Sequence, residues 1–168
     1  MKGIRNYSAW QTTLLVIVRV MIGWHFLYEG FVKITSSSWS SVGYLMDSKG
    51  VFAGIFHSIG ASPNAVAIAD FLNMWGLTAI GIGLILGCLT QVATIAGVLL
   101  LAFYCLSHPS GINTQYVVPS EGSYLWVNKT MIELFTLALL YFFPTGRIIG
   151  FDRIIFGVPN NQSGKETN

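Results

Sequence analysis

Apolar residues in this chain gather into long runs instead of alternating with polar ones, a pattern that predicts helices rather than half-buried strands. Four runs have the length of a bilayer-crossing helix, roughly 17–25 residues. They cover residues 12–32, 64–86, 89–106 and 126–143. The second and third are joined by a tight turn around Gly87–Gln91. The other two connections, 34–63 and 107–125, are longer and rich in Ser, Gly and aromatic residues, among them Trp39, Tyr44, Phe52, Tyr116 and Tyr124. Trp and Tyr favour the membrane–water interface, so both connections read as lids resting there, the first with room for short interfacial helices.

Composition agrees with four spans. Nine Lys/Arg and seven Asp/Glu make 10% of a chain that is 53% hydrophobic. Soluble domains usually carry about 25% charged residues. So few charges exclude an ordinary water-soluble enzyme, a disordered chain and a nucleic-acid binder working through a basic face. The expected class is all-α and integral to the membrane, one domain over residues 1–155 with a polar tail over 156–168.

The first run follows Lys2 and Arg5, as a signal peptide would. It has no Ala-x-Ala site, holds Arg19 near its middle and is long for such a segment, so it is expected to stay as a helix. Basic residues also follow the fourth run, at Arg147, Arg153 and Lys165. The positive-inside rule then places both termini in the cytoplasm and the two long connections outside. Cys88 and Cys105 stand about 25 Å apart along a helix, too far for a disulfide. Phosphate-binding glycine loops, CxxC and HExxH are absent from the sequence.

Charges at membrane depth carry the chemistry. Arg19 costs about 2.5–3.5 kcal/mol at the centre of a span, against about 0.3–0.6 returned by each Leu, Ile, Val or Phe. It therefore needs a partner or a wet cavity. At 100° per residue Arg19, Gly23, Phe26, Gly30 and Lys33 share one face, with Glu29 at its edge and His25 just beyond. The fourth run supplies Lys129 and Glu133 one turn apart, beside Asn128. The second supplies Asp70 and Asn73, with Gly76, Gly83 and Gly87 on another side suited to close helix packing. Glu29, Lys33, Asp70, Lys129 and Glu133 all belong to the outer half. Such charges either fix helix register or serve function. His25 and His108 make a poor haem or metal ligand set, so no haem or metal is expected. His57 reads as solvated. The aromatic residues Trp24, Phe26, Tyr28, Phe103 and Tyr104 face lipid or the core, and a few of them can wall a ring-shaped ligand.

Three stretches resemble a known family: R-x3-G-x6-G-x2-K (Arg19, Gly23, Gly30, Lys33), GIGLILGCLTQVATIAG (Gly81 to Gly97), and NKTMIELFTLALLYFFPTGRIIGFDR (Asn128 to Arg153) with Gly146, Gly150 and Asp152. The pattern is similar to the DoxX family of small four-helix membrane proteins, related to the DoxD membrane subunit of thiosulfate:quinone oxidoreductase. The chain departs from it at Gln91, where a basic residue often stands, and an acidic residue expected inside the second run has no clear match, since Asp70 stands earlier and Trp75 is uncharged.

The resemblance implies an up-down four-helix bundle in the bacterial inner membrane. It also implies a part in moving electrons to membrane quinone beside a partner oxidoreductase or periplasmic electron donor. On that expectation Arg19, Lys33, Lys129, Tyr28, Asn73 and Asn128 are candidates to hold a quinone headgroup, and Glu29, Glu133, His25 and Asp70 to relay protons. Membrane lipid is a partner, nucleic acid is not, and a homo-oligomer is allowed. The competing expectation is a non-catalytic scaffold or small-solute carrier whose charges fix register or bind solute.

Overall fold

The computed structural model describes residues 7–109, 116–117 and 127–157. Among them every regular element is helical: α1 (Ala9–Thr35), α2 (Val42–Met46), α3 (Ala53–Gly60), α4 (Pro63–Leu86), α5 (Thr90–Ser107), α6 (Lys129–Phe142), a 3-10 turn (Thr145–Arg147) and α7 (Asp152–Phe156). The expected tail and most of the second long connection lie outside the described residues.

The start of α1 is a capping box. The Ser8 hydroxyl accepts from the Gln11 amide, and the Gln11 side chain accepts from the Ser8 amide. Its buried residues are Arg19, Gly23, Phe26 and Gly30, spaced so that they form one stripe. On the opposite side Leu14, Ile17, Met21, Trp24, Tyr28 and Phe31 form an exposed apolar stripe, the face suited to lipid. Ser62 caps α4 and Pro63 occupies its first position, where the missing amide hydrogen costs nothing.

Three helices, α1, α4 and α5, are long and apolar enough to cross a membrane. The fourth run is shorter than the sequence predicts. Its helix begins at Lys129, where Asn128 accepts from the Met131 amide, and ends at Phe142, just before Pro144. Those 14 residues rise about 21 Å, against a hydrocarbon core of about 30 Å.

Contacts run in a closed ring, α1 on α4, α4 on α5, α5 on α6 and α6 back on α1. Phe26, Leu77, Ile80, Leu84, Ala93, Leu101, Leu137 and Leu140 fill its centre. Glycine lets α1 and α4 approach closely, but not through the side the sequence suggested. Gly76 has open space around it, whereas a Cβ on Gly81 would stand against the Leu27 amide and 2.7 Å from the Gly23 carbonyl oxygen. Gly83 faces Ala93 of α5, and Gly87 closes α4 in the left-handed region at φ 65°.

Two ends of the ring differ. The turn end carries Gly87–Leu89, the 3-10 turn and α7, while the lid end carries α2, α3 and the close of α5.

Candidate functional site

At the turn end Arg19 is tied down. Its Nη1 donates to Thr145 Oγ1 at 3.1 Å and its Nη2 to the Ile149 carbonyl at 2.9 Å. Asp152 supplies the nearby negative charge. The Asp152 carboxylate also accepts from the Leu89 amide at 2.6 Å, from the Thr90 amide at 2.9 Å, and from the Thr90 hydroxyl. Those contacts cap α5, whose first residues lack a cap of their own because Leu89 stands in the N-cap position. Leu89 takes the left-handed conformation at φ 48°, which costs a non-glycine residue about 1–2 kcal/mol. The bond to Asp152 holds it there. Arg19, Thr145, Thr90 and Asp152 are all buried. A helical side chain leans toward its own N-terminus, which sends the guanidinium away from Glu29 and Lys33. Arg19 is therefore not brought together with the charges of the lid end.

At that end Lys33 is the centre. Its Nζ donates to Asn73 Oδ1 at 2.8 Å and stands 3.8 Å from Glu29 one turn earlier. The rings of Trp39 and Tyr104 lie 5.2 and 5.8 Å from the ammonium, within cation–π range. Asn73 in turn donates to Tyr104 Oη at 2.7 Å. Lys33 has three N–H donors, and the amide takes one. The result is a half-buried ammonium edged by aromatic faces and two neutral hydrogen-bonding groups.

The lid is fastened to this site through α5. Ser48 Oγ and the Lys49 amide both donate to the Ser107 carbonyl, at 2.8 and 3.1 Å. That carbonyl belongs to the last turn of α5 and has no helical partner. His108 stacks on Tyr44 at 3.8 Å and lies 4.5 Å from Tyr116 between ring centres. Burial pushes the His108 imidazole below its ordinary range, with Asp47 opposing the shift and Lys49 adding to it. Burial likewise raises the Tyr44 phenol.

Deeper in the ring His25 Nε2 meets Glu133 Oε1 at 3.2 Å. Among the described ion pairs His25 is the partner of Glu133. His25, Glu29 and Lys33 follow one another at four-residue steps, about 6 Å each along α1. Titratable groups thus form a ladder from mid-helix to the lid.

The remaining candidates scatter. Tyr28 is exposed on the lipid-facing stripe and lies apart from the Lys33 group. Asn128 caps α6, and Lys129 opens that helix. Asp70 turns to the lid, where its Oδ1 accepts from the Ser41 amide at 2.7 Å. Among the described residues no three His, Cys, Asp or Glu side chains gather as metal ligands. Sequence reasoning passed over Trp39 and Tyr104 as neighbours of Lys33, Thr145 as an acceptor for Arg19, and Thr90 as a donor to Asp152. Only tertiary contact singles them out.

The DoxX family model matches residues 14–108, which takes in α1 to α5 and so Lys33, Asn73, Tyr104 and His25. The chain belongs to the DoxX family. Members are membrane-associated and often linked to oxidoreductase functions. DoxX membership and the three long apolar helices make this a multi-pass membrane protein. No curated protein and no solved structure matches the chain.

Proposed function

We propose that this DoxX protein is the quinone-binding membrane subunit of an oxidoreductase system, with its headgroup site at Lys33, Asn73 and Tyr104. The observation that carries the reading is Lys33 itself: an ammonium at the lid end with unspent donors, flanked by the aromatic faces of Trp39 and Tyr104. These residues fit a quinone, which needs donors for its carbonyls and flat apolar walls for its ring. When bound, quinone supplies an acceptor for two electrons and two protons. Lys33 and the Asn73 amide hold carbonyl oxygen, and the fixed cation favours the charge that builds there on reduction. Glu29, with the His25–Glu133 pair behind it, holds and passes protons toward that oxygen. Electrons come from the redox group of a partner protein. The four helices act as an up-down bundle in the inner membrane, with the turn end and both termini cytoplasmic, so the site opens toward the outer leaflet. Arg19 and Asp152 serve the architecture rather than the headgroup.

Titration of the full-length protein in nanodiscs with decylubiquinone, followed by tryptophan fluorescence, tests this. Saturable quenching that largely disappears in Trp39→Phe is expected. Lys33→Met should lower turnover with a cognate donor more than it weakens quinone binding, because the cation acts most on the reduced side. If wild type shows no saturable binding, the bundle is a scaffold or solute carrier instead.

A further inference from the structure

A shallow, open groove of about 390 Å³ lies at the lid end, outside the Lys33 group, between α4 and the α2–α3 segment. Val42, Ala61, Pro63, Val66 and Ala67 make its walls apolar, and Asp70 is the charged residue lining it. Among the described residues no Lys or Arg lines it to neutralise that carboxylate. Asp70 Oδ1 is engaged by the Ser41 amide, and Oδ2 takes no hydrogen bond among the described residues. Close by, the Ser41 hydroxyl is buried without a hydrogen-bond partner among the described residues. Ser40 at the rim adds a second hydroxyl.

We infer that this groove binds a primary ammonium carried on an apolar stem, and that the source is the headgroup of an amino lipid such as phosphatidylethanolamine. Asp70 supplies the charge-assisted acceptor, and the Ser40 hydroxyl can donate to the adjoining phosphate. Val42, Pro63 and Val66 cover the methylene carbons. Access favours a lipid over a free amine: Phe71, next to Asp70 on α4, is exposed on the membrane-spanning helix, so an acyl chain can lie beside the site. Asp70 stands apart from the ladder of His25, Glu29 and Lys33, so the inference is independent of quinone.

The test is native mass spectrometry of full-length protein released from nanodiscs of equal phosphatidylethanolamine and phosphatidylglycerol, with free hexylamine titrated separately. Wild type should retain phosphatidylethanolamine preferentially. Asp70→Asn keeps an oxygen for the Ser41 amide but removes the charge, and retention should fall about tenfold or more. Ala67→Leu leaves the carboxylate in place and fills the space; it should cut retention similarly, with an unchanged melting temperature. Equal retention of both lipids by wild type, or retention unaffected by either variant, would overturn the assignment. Saturable hexylamine binding with no lipid preference would overturn the lipid source.

Discussion

Gly81→Ala tests what holds α1 against α4. In a bilayer the lipid is as apolar as the side chains, so close packing rather than water exclusion drives association. A Cβ at Gly81 would lie 2.7 Å from both the Gly23 carbonyl oxygen and the Leu27 Cα, and would meet the Leu27 amide more closely still. All three are backbone groups of α1, so no rotamer change relieves the contact. The helices must part by roughly 1 Å, and a gap of 0.5–1 Å forfeits a quarter to a half of each dispersion contact it opens. Phe26, Leu77, Ile80 and Leu84 share that interface. Overpacking of this kind costs about 1–3 kcal/mol, and the better helix propensity of alanine returns up to about 1. The net expectation is a loss of about 1–2 kcal/mol. Gly76→Ala is the internal control, since nothing lies within 4 Å of a Cβ there. It should be neutral or stabilising by up to about 1 kcal/mol. The assay is unfolding of both variants in mixed micelles, titrated with a denaturing detergent and followed by circular dichroism. Equal behaviour of the two variants, or a Gly81→Ala protein as stable as wild type, would refute the close-packing argument.

Asp152→Ala leaves the Leu89 and Thr90 amides without an acceptor and Arg19 without its counter-charge. A buried donor left without its acceptor costs about 1–3 kcal/mol, so the same unfolding assay should show a clear loss. His108 is held neutral in the fold by burial. As pH falls below about 6.5 the unfolded chain therefore binds a proton there before the folded one does, and stability should decline with acidification. Asp47, Lys49, Tyr44 and Tyr116 face the ring. His108→Phe keeps the stack and should flatten that part of a melting-temperature profile between pH 7 and pH 5. Orientation can be read with a membrane-impermeant thiol reagent on intact cells, in a background lacking Cys88 and Cys105. Val51→Cys, fully exposed on the lid, should label and Ser163→Cys should not; the reverse pattern would invert the topology. Ser48 is unsuitable as a probe because it is buried against Ser107.

What was legible in the sequence is what depends on neighbours along one helix. Long apolar runs set three of the spans to within a few residues at each end. The stripe of Arg19, Gly23, Phe26 and Gly30 followed from 3.6 residues per turn, because a polar or small residue in a bilayer must turn inward. The fourth helix came out shorter chiefly at its start, where the Asn128 cap fixes its first turn while the apolar run reaches back past it. The motif containing Arg19 and Lys33 pointed to the family correctly, but it could not show that those two cations serve opposite ends of the molecule.

Partnership was decided in three dimensions. Hydropathy reports the cost of placing a charge in the membrane and says nothing about which residue offsets it. Arg19 finds Thr145 and Ile149, more than a hundred positions away, because the chain after α6 folds back onto the Gly87 turn. Glu133 meets His25 because α6 returns to α1 and closes the ring. Lys33 gains Asn73, Tyr104 and Trp39 from three separate segments. The approach of α1 to α4 selects Gly81 over Gly76, since the contact depends on the rotation of each helix about its axis, and that rotation is set by how two surfaces fit. From sequence alone the chain was a membrane protein resembling DoxX, with a few charges at membrane depth; its tertiary packing placed Arg19 and Lys33, each with its own partners, at opposite ends of the ring.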